Sequence, residues 1–412
     1  MIVKNHYAFD STKQNLKQAE LVRLLEEEWL LREAGKSGYL FSEYTLKKYL
    51  DLEFRLGEKV LTSGEDSLLT KSTGERKKLL LNYQLAQKPD FLILDHPFDG
   101  LDSDTVARFK EQFKALAETT TFIQFFTRSE DRLAFCNTAL DFQDGHFVKS
   151  GALELADATQ NTITEQKIPR TLVTYPDVPE VLIDFRDVSV AFGDKPVLQN
   201  IVWQIRKSES WQLTGVNGSG KTTLLSMITG DSVKGYGKEL YIFGSKKGSG
   251  ESVWEIKKRI GYVTPVLTER FDGMHSVSDM ITGGIYDSVG LYRRPTTLER
   301  KIAEEWIQLI GLEDKAQMRF RDLSEVDKRL VLIARAMIKN PPLLILDEPT
   351  FALGDADAAL VVSLINTLSK GSDVAIIFVS HRREPGLQVS KVYRLLKGDE
   401  GSLGTEYDQE VR

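Results

Sequence analysis

The chain has 412 residues, long enough for two domains with cores of their own. Its 41% hydrophobic and 28% charged residues fit a globular protein, and no apolar run approaches the roughly 20 residues that span a bilayer. A net charge of -6 offers no basic field for nucleic acid, and the single cysteine, Cys136, rules out an intrachain disulfide. The opening MIVKNHYAFDSTKQN lacks the apolar core of a secretory signal, so the expected location is the cytoplasm.

In chain order, the first informative stretch runs from Ser72 to Asp102, STGERKKLLLNYQLAQKPDFLILDHPFDGLD. It aligns without a gap on Ser324 to Gly354, at an offset of 252 residues. Each stretch reads as a helix, a Pro, and a short apolar run ending in Asp, the pattern of a buried parallel strand feeding a loop. FCNTALDFQDGHFVKSG closes the first copy with a DG hairpin. We therefore expect a first domain over residues 1–151, a linker over 152–180 with little periodic pattern, and a second domain over 181–412.

The second domain opens with alternating apolar residues in VLIDFRDVSVAFGDKPVLQNIVWQI, then SWQLTGVNGSGKTTLLSMITG. Gly215, Gly220, Lys221 and Thr222 have the GxxxxGK[ST] spacing between a strand-like and a helix-like run. Backbone N–H groups of such a loop curl around phosphates, Lys221 neutralises the outer ones, and Thr222 suits magnesium. Subtracting 252 from Lys221 gives a position before Met1, so the first copy is expected to lack this loop, through reduction or because the sequence is a piece of something longer. The five histidines show no metal-ligand spacing, and Trp29, Trp254 and Trp306 read as core.

These residues resemble the tandem ATP-binding cassette proteins, an α/β P-loop NTPase class, along essentially the whole chain. GVNGSGKTT matches the Walker A loop, LLILDEP the Walker B strand, and VSH the switch-histidine loop. GSGESVWEIKKRIGYV, ITGDSVKGY and GIYDSVGLY are similar to the ModF-type double cassettes, a group labelled with molybdate transport and photorepair. The resemblance implies ATP and Mg2+ as ligands. It makes Gly215, Asn217, Gly218, Ser219, Gly220, Lys221, Thr222 and Thr223 the phosphate loop, with Thr222 and Asp347 holding the metal. Glu348 would polarise the attacking water, His381 would contact the terminal phosphate, and Phe192 would stack on adenine unless it is a plain strand-end core residue.

Cassettes of this class close head to tail, each nucleotide lying between one Walker loop and the other domain's signature. Here the second copy reads LSEVD where the family has LSGGQ, and its D-loop ends in Gly354 instead of Asp. The first copy has His96 in place of the glutamate and Arg128 near the place of the histidine, yet keeps Ser72, Gly74 and Glu75 of a signature and Asp102 of a D-loop. The expectation is one composite ATP site joining Lys221 to Ser72 and Gly74, and one dead site; the plainer alternative is that STGE is only a helix cap, which Ser or Thr before Glu makes well. The family's glutamine, which contacts the membrane subunit after RIGYV, is replaced by Thr264, Pro265 and Val266. This leaves open a slow ATPase serving separate membrane permease subunits at the inner face of the membrane, a soluble ATP-dependent switch with little or no turnover, and a homodimer of second halves.

Overall fold

The computed structural model describes residues 4–14, 16–64, 66–152, 163, 167–271, 274–382 and 384–408. Two compact units divide the chain, Met1–Ala158 and Thr159–Arg412, and the division falls inside the stretch read as a linker. No helix among the described residues is long and apolar enough to cross a membrane.

The first unit begins with β1 (Tyr7–Asp10), α1 (Gln18–Leu24), α2 (Glu28–Glu33), β2 (Gly38–Phe41) and α3 (Glu43–Leu56). It continues through α4 (Thr73–Ala86), β3 (Phe91–Asp95), α5 (Ser103–Leu116) and β4 (Thr121–Phe126) to the hairpin β5 (Thr138–Gln143) and β6 (His146–Ala152). The apolar run Phe91–Leu94 is fully buried, as a central parallel strand requires. In α5, Phe109 and Phe113 are four apart, so they share the face that packs on the sheet. Asp144 and Gly145 turn the hairpin with φ of 51° and 84°, the left-handed pair expected of a DG turn.

In the second unit a long hairpin, β7 (Val181–Phe192) and β8 (Lys195–Arg206), leads to β9 (Ser210–Gly215), α6 (Lys221–Ile228), and the short β10 (Leu240–Ile242) and β11 (Ser245–Lys246). Then come α7 (Val253–Lys258), β12 (Ile260–Val263), α8 (Pro265–Arg270), α9 (Val277–Gly283), α10 (Thr297–Leu309) and α11 (Glu325–Met337). The rest is β13 (Leu343–Asp347), α12 (Asp355–Gly371), β14 (Ala375–Val379), β15 (Lys391–Leu396) and β16 (Leu403–Asp408). β7, β8, β10 and β11 form an antiparallel sheet, while Met280, Trp306 and Leu330 are among the residues that bury a helical lobe.

The two six-stranded sheets have the same order: β2-β3-β4-β1-β5-β6 and β12-β13-β14-β9-β15-β16. β1 thus occupies the place of β9, the strand that feeds the phosphate loop. Asp95 pairs with Phe125 and Asp347 with Val379, while Phe9 pairs with Phe125 and Leu213 with Val379. Phe9 is therefore the counterpart of Leu213, and Lys17, at the N-cap of α1, stands where Lys221 opens α6. This overturns the expectation that the first copy begins after its phosphate loop: the strand, loop and helix are present, and the loop reads STKQNLK without a glycine. The constant offset fails because the first unit is shorter between this loop and its signature; Gly38 pairs with Phe91 as Ile260 pairs with Leu343, an offset of 222. The same register puts Thr127, with Arg128 one residue beyond, in the place of His381.

Described residues of the stretch read as a linker dock on the second unit. Ile163 donates its N–H to Ser363 Oγ at 3.1 Å, and Tyr175 donates its hydroxyl to the carbonyls of Lys258 (2.7 Å) and Lys339 (3.2 Å) at the ends of α7 and α11.

Candidate active site

β9 delivers the chain into Gly215, whose φ of 150° and close surroundings exclude a side chain: a Cβ there would lie 2.6 Å from Ser219 Oγ and 2.9 Å from the Leu395 carbonyl. Gly220, in the left-handed region at φ 96°, caps α6 with no side chain, so the first-turn N–H groups of the helix have no side-chain cap. These donors and the helix dipole favour an anion. Lys221 is buried, its ammonium donating to the Gly215 carbonyl at 2.6 Å and to Val216 at 3.3 Å. The hydroxyls of Thr214 and Ser219 are buried without a hydrogen-bond partner, which marks the loop as a polar cradle. Asn217 and Thr223 are half-buried on this loop and the first turn of α6, and Gly218 is exposed.

Thr222 and Asp347 line one cavity of about 980 Å³. Asp347 ends β13, where the sheet opens after a run of buried apolar residues. Burial pushes its carboxyl above the usual range, and the neighbouring Glu348 adds to the effect. The Tyr262 hydroxyl donates to Asp347 Oδ2 at 3.2 Å. Glu348 turns the backbone with φ 55° and donates its N–H to the Val379 carbonyl at 2.9 Å, which sets its side chain beside the end of β14. There His381 Nε2 lies 3.0 Å from Glu348 Oε1. Thr222 and Asp347 supply hard oxygen donors, a set that fits Mg2+, which usually takes one or two protein oxygens with substrate phosphates and water.

The first unit carries the other predicted residues. Ser72 caps α4, accepting from the Glu75 N–H at 3.4 Å, while Glu75 Oε2 accepts from the Ser72 N–H at 2.8 Å and its hydroxyl at 2.7 Å. The capping box is thus present, and Gly74 sits in the first turn with only Leu101 Cδ2, at 3.6 Å, facing a built Cβ. Asp102 caps α5 by accepting from the Thr105 N–H at 2.9 Å. His96 has the same left-handed turn as Glu348, φ 44°, but its Nδ1 lies 2.7 Å from Asp95 Oδ1.

The second unit's own signature is unsuited to an anion. Glu325 and Asp327 occupy the first turn of α11, where they already satisfy the dipole and repel phosphate. Asp327 is tied to Lys315 Nζ at 2.6 Å, and Gly354 begins α12 without a side-chain cap.

Phe192 ends β7 half-exposed, with Lys234 Nζ 4.9 Å from its ring centroid, so the plain core reading does not describe it. The hairpin it belongs to brings Leu198 and Val197 against Gly220. Trp306 is core, but Trp254, read as core too, is 75% exposed on the rim of the Thr222–Asp347 cavity. The residue that motif reasoning missed is Tyr262. The available signal was its place on the strand beside the Asp-bearing strand, two residues before Thr264.

The profile of the ABC transporter family matches residues 198–351. The chain is 35% identical to the ABC transporter ATP-binding protein ModF of Escherichia coli (strain K12) over 328 residues, 76% of this chain and 67% of that protein. It is 26% identical over 323 residues to an uncharacterized ABC transporter ATP-binding protein, C323.04, of Schizosaccharomyces pombe, covering 76% of this chain and 66% of that protein. The chain thus spans about two thirds of the length of both. Among solved structures, cbiO1 from Clostridium perfringens, part of the ABC transporter complex cbiONQ, is similar at a TM-score of 0.49 and 20% identity, covering 56% of this chain and 89% of that one.

Proposed function

The chain belongs to the ABC transporter family of ATP-binding proteins, and from that premise we propose that it hydrolyses ATP at one composite site. The Walker residues of the second unit would form one half of this site and the signature of the first unit the other. The observation that carries this reading is the complementary loss. Only the second unit has the glycine loop with Lys221, and only the first has a helix-opening Gly74 without two acids beside it.

In this reading the phosphates lie on the N–H groups of residues 216–222, and Lys221 turns from its loop carbonyls to the outer phosphates. Thr222 and Asp347 would hold Mg2+, which when bound offsets the phosphate charge. Glu348 orients a water and takes its proton as the water oxygen bonds to the terminal phosphorus. The bond to the bridging oxygen breaks, and ADP leaves with the electron pair. His381, beside Glu348, steadies the terminal phosphate together with Ser72 and the Gly74 N–H. Phe192 offers its exposed ring to the adenine. With one competent site per chain, turnover is slow.

Relatives named as transporter ATP-binding proteins support a role beside separate membrane permease subunits, which would place the chain at the inner face of a membrane. One observation favours a soluble switch instead: after β12, where the family's glutamine would stand, the chain has Thr264 and then Pro265 and Val266 opening α8, none with a side-chain amide. Steady-state phosphate release with magnesium and ATP, beside nucleotide binding, tests the site. Lys221→Ala should lower binding at least tenfold and abolish release; equal binding by wild type and variant overturns the reading.

A further inference from the structure

Asp347 is the last residue of a buried strand, with a second acid directly after it, so its carboxylate needs a donor to hold one orientation. The sheet supplies one. Tyr262 on β12 pairs with Ile345 on β13, so Asp347, two residues further along, lies diagonally across on the same face. An aromatic side chain reaches that distance, and the Tyr262 hydroxyl meets Asp347 Oδ2 at 3.2 Å. Tyr262, Asp347 and Thr222 all line the same cavity.

The first unit carries the same sheet without this contact. There the pair is Leu40 with Ile93, and Asp95 is the residue two further on. Leu40 is buried among apolar side chains and has no hydroxyl, and Asp95 contacts His96 instead. The unit with the glycine loop and Lys221 thus has a tyrosine aimed at its strand-end aspartate. The unit whose loop lacks glycine has a leucine in that place.

We propose that Tyr262 is a positioning residue for the metal-holding carboxylate, its hydroxyl occupying Oδ2 of Asp347 so that Oδ1 remains for the cation. Thr264 and Val266, which follow β12, line this cavity too, but the hydroxyl that meets Asp347 is that of Tyr262. The inference rests on the proposed ATP site, and deepens it by naming what orients its metal ligand.

The test uses the full chain and Mn2+ as the probe. The free-Mn2+ resonance signal reports the concentration that half-saturates the ADP-loaded protein, with ADP binding in EDTA and thermal melting measured alongside. Loss of a partner that orients a metal ligand typically weakens metal affinity about 10–100-fold. Tyr262→Phe should therefore raise the half-saturating Mn2+ about tenfold while ADP binding in EDTA stays at the wild-type value. Tyr262→Leu, which copies the first unit, should do at least as much. In an Asp347→Asn background, Tyr262→Phe should change Mn2+ binding no further, whereas a general packing defect would add its own loss. An unchanged half-saturation in Tyr262→Phe overturns the proposal, as does full additivity with Asp347→Asn. Failure of the wild type to bind ADP in EDTA overturns the nucleotide site itself, and the inference with it.

Discussion

The composite reading is most exposed to a change at Gly74, because that residue lies outside the unit that carries the Walker loop. Gly74→Asp is mild for its own unit. The residue is in the first turn of α4, and a Cβ there meets only Leu101 Cδ2 at an ordinary 3.6 Å. Replacing a helical glycine gains a few tenths of a kcal/mol in propensity, and an acid near a helix N-terminus gains about 0.3–1 kcal/mol more. The fold should be unaffected or slightly firmer. At the proposed site the effect is opposite. A carboxylate about 4 Å from one phosphate charge costs about 4 kcal/mol at an effective dielectric of 20, and magnesium with Lys221 would offset part of it. A net loss of about 2–4 kcal/mol corresponds to a turnover roughly 30- to 1,000-fold slower. The assay is steady-state phosphate release, with ATP binding and melting on the same preparation. If Gly74→Asp hydrolyses within about twofold of wild type while melting normally, the first unit's signature does not engage ATP, and the composite site is refuted.

Gly220→Ala would put a methyl group 2.6 Å from Leu198 Cδ2 at a φ of 96°, which strains the backbone and pushes on β8. We expect ATP affinity to fall more than tenfold and melting to drop by about 4–8 °C, for a cost of about 2 kcal/mol in a unit of this size; calorimetric titration and a thermal melt check both. At His96, burial alone would lower the imidazole, but Asp95 reverses this and holds it above its ordinary 6.5. The stability it contributes is full below pH 6.5 and is lost as pH rises through the folded value. Melting followed upward from pH 6 should therefore fall less in His96→Gln than in wild type, and parallel curves would contradict the assignment.

The parts of this structure that were legible in the sequence are those where local chemistry dictates conformation. Glycines spaced around Lys221 permit only a few backbone paths, and LLILDEP is a buried run that must end in acids where the sheet opens. What was not legible depends on length and on neighbours in space. β1 is only four residues and its loop has lost the glycines, so a constant offset from Asp95 passed it by. Trp254 looked like core because the residues around it alternate amphipathically, but α7 is six residues long and turns that ring outward. Tyr262 reads as an ordinary strand residue until the register shows that Asp347 is its diagonal neighbour. Ser72 serves as a helix cap whatever else it does, so its motif could not by itself separate structure from function.

The docking of Ile163 and Tyr175 on the second unit bears on how the proposed site would assemble. Ala152 closes the last strand of the first unit, and Ile163 is already hydrogen-bonded within the second. Whatever path the chain takes between them, its covalent length limits the span to at most about 40 Å at roughly 3.3–3.6 Å per residue. Groups joined in one chain meet at an effective concentration that does not depend on the dilution of the protein. If the proposed composite site forms within one chain, hydrolysis per chain should not change on dilution. A homodimer of second units would lose its activity under the same dilution.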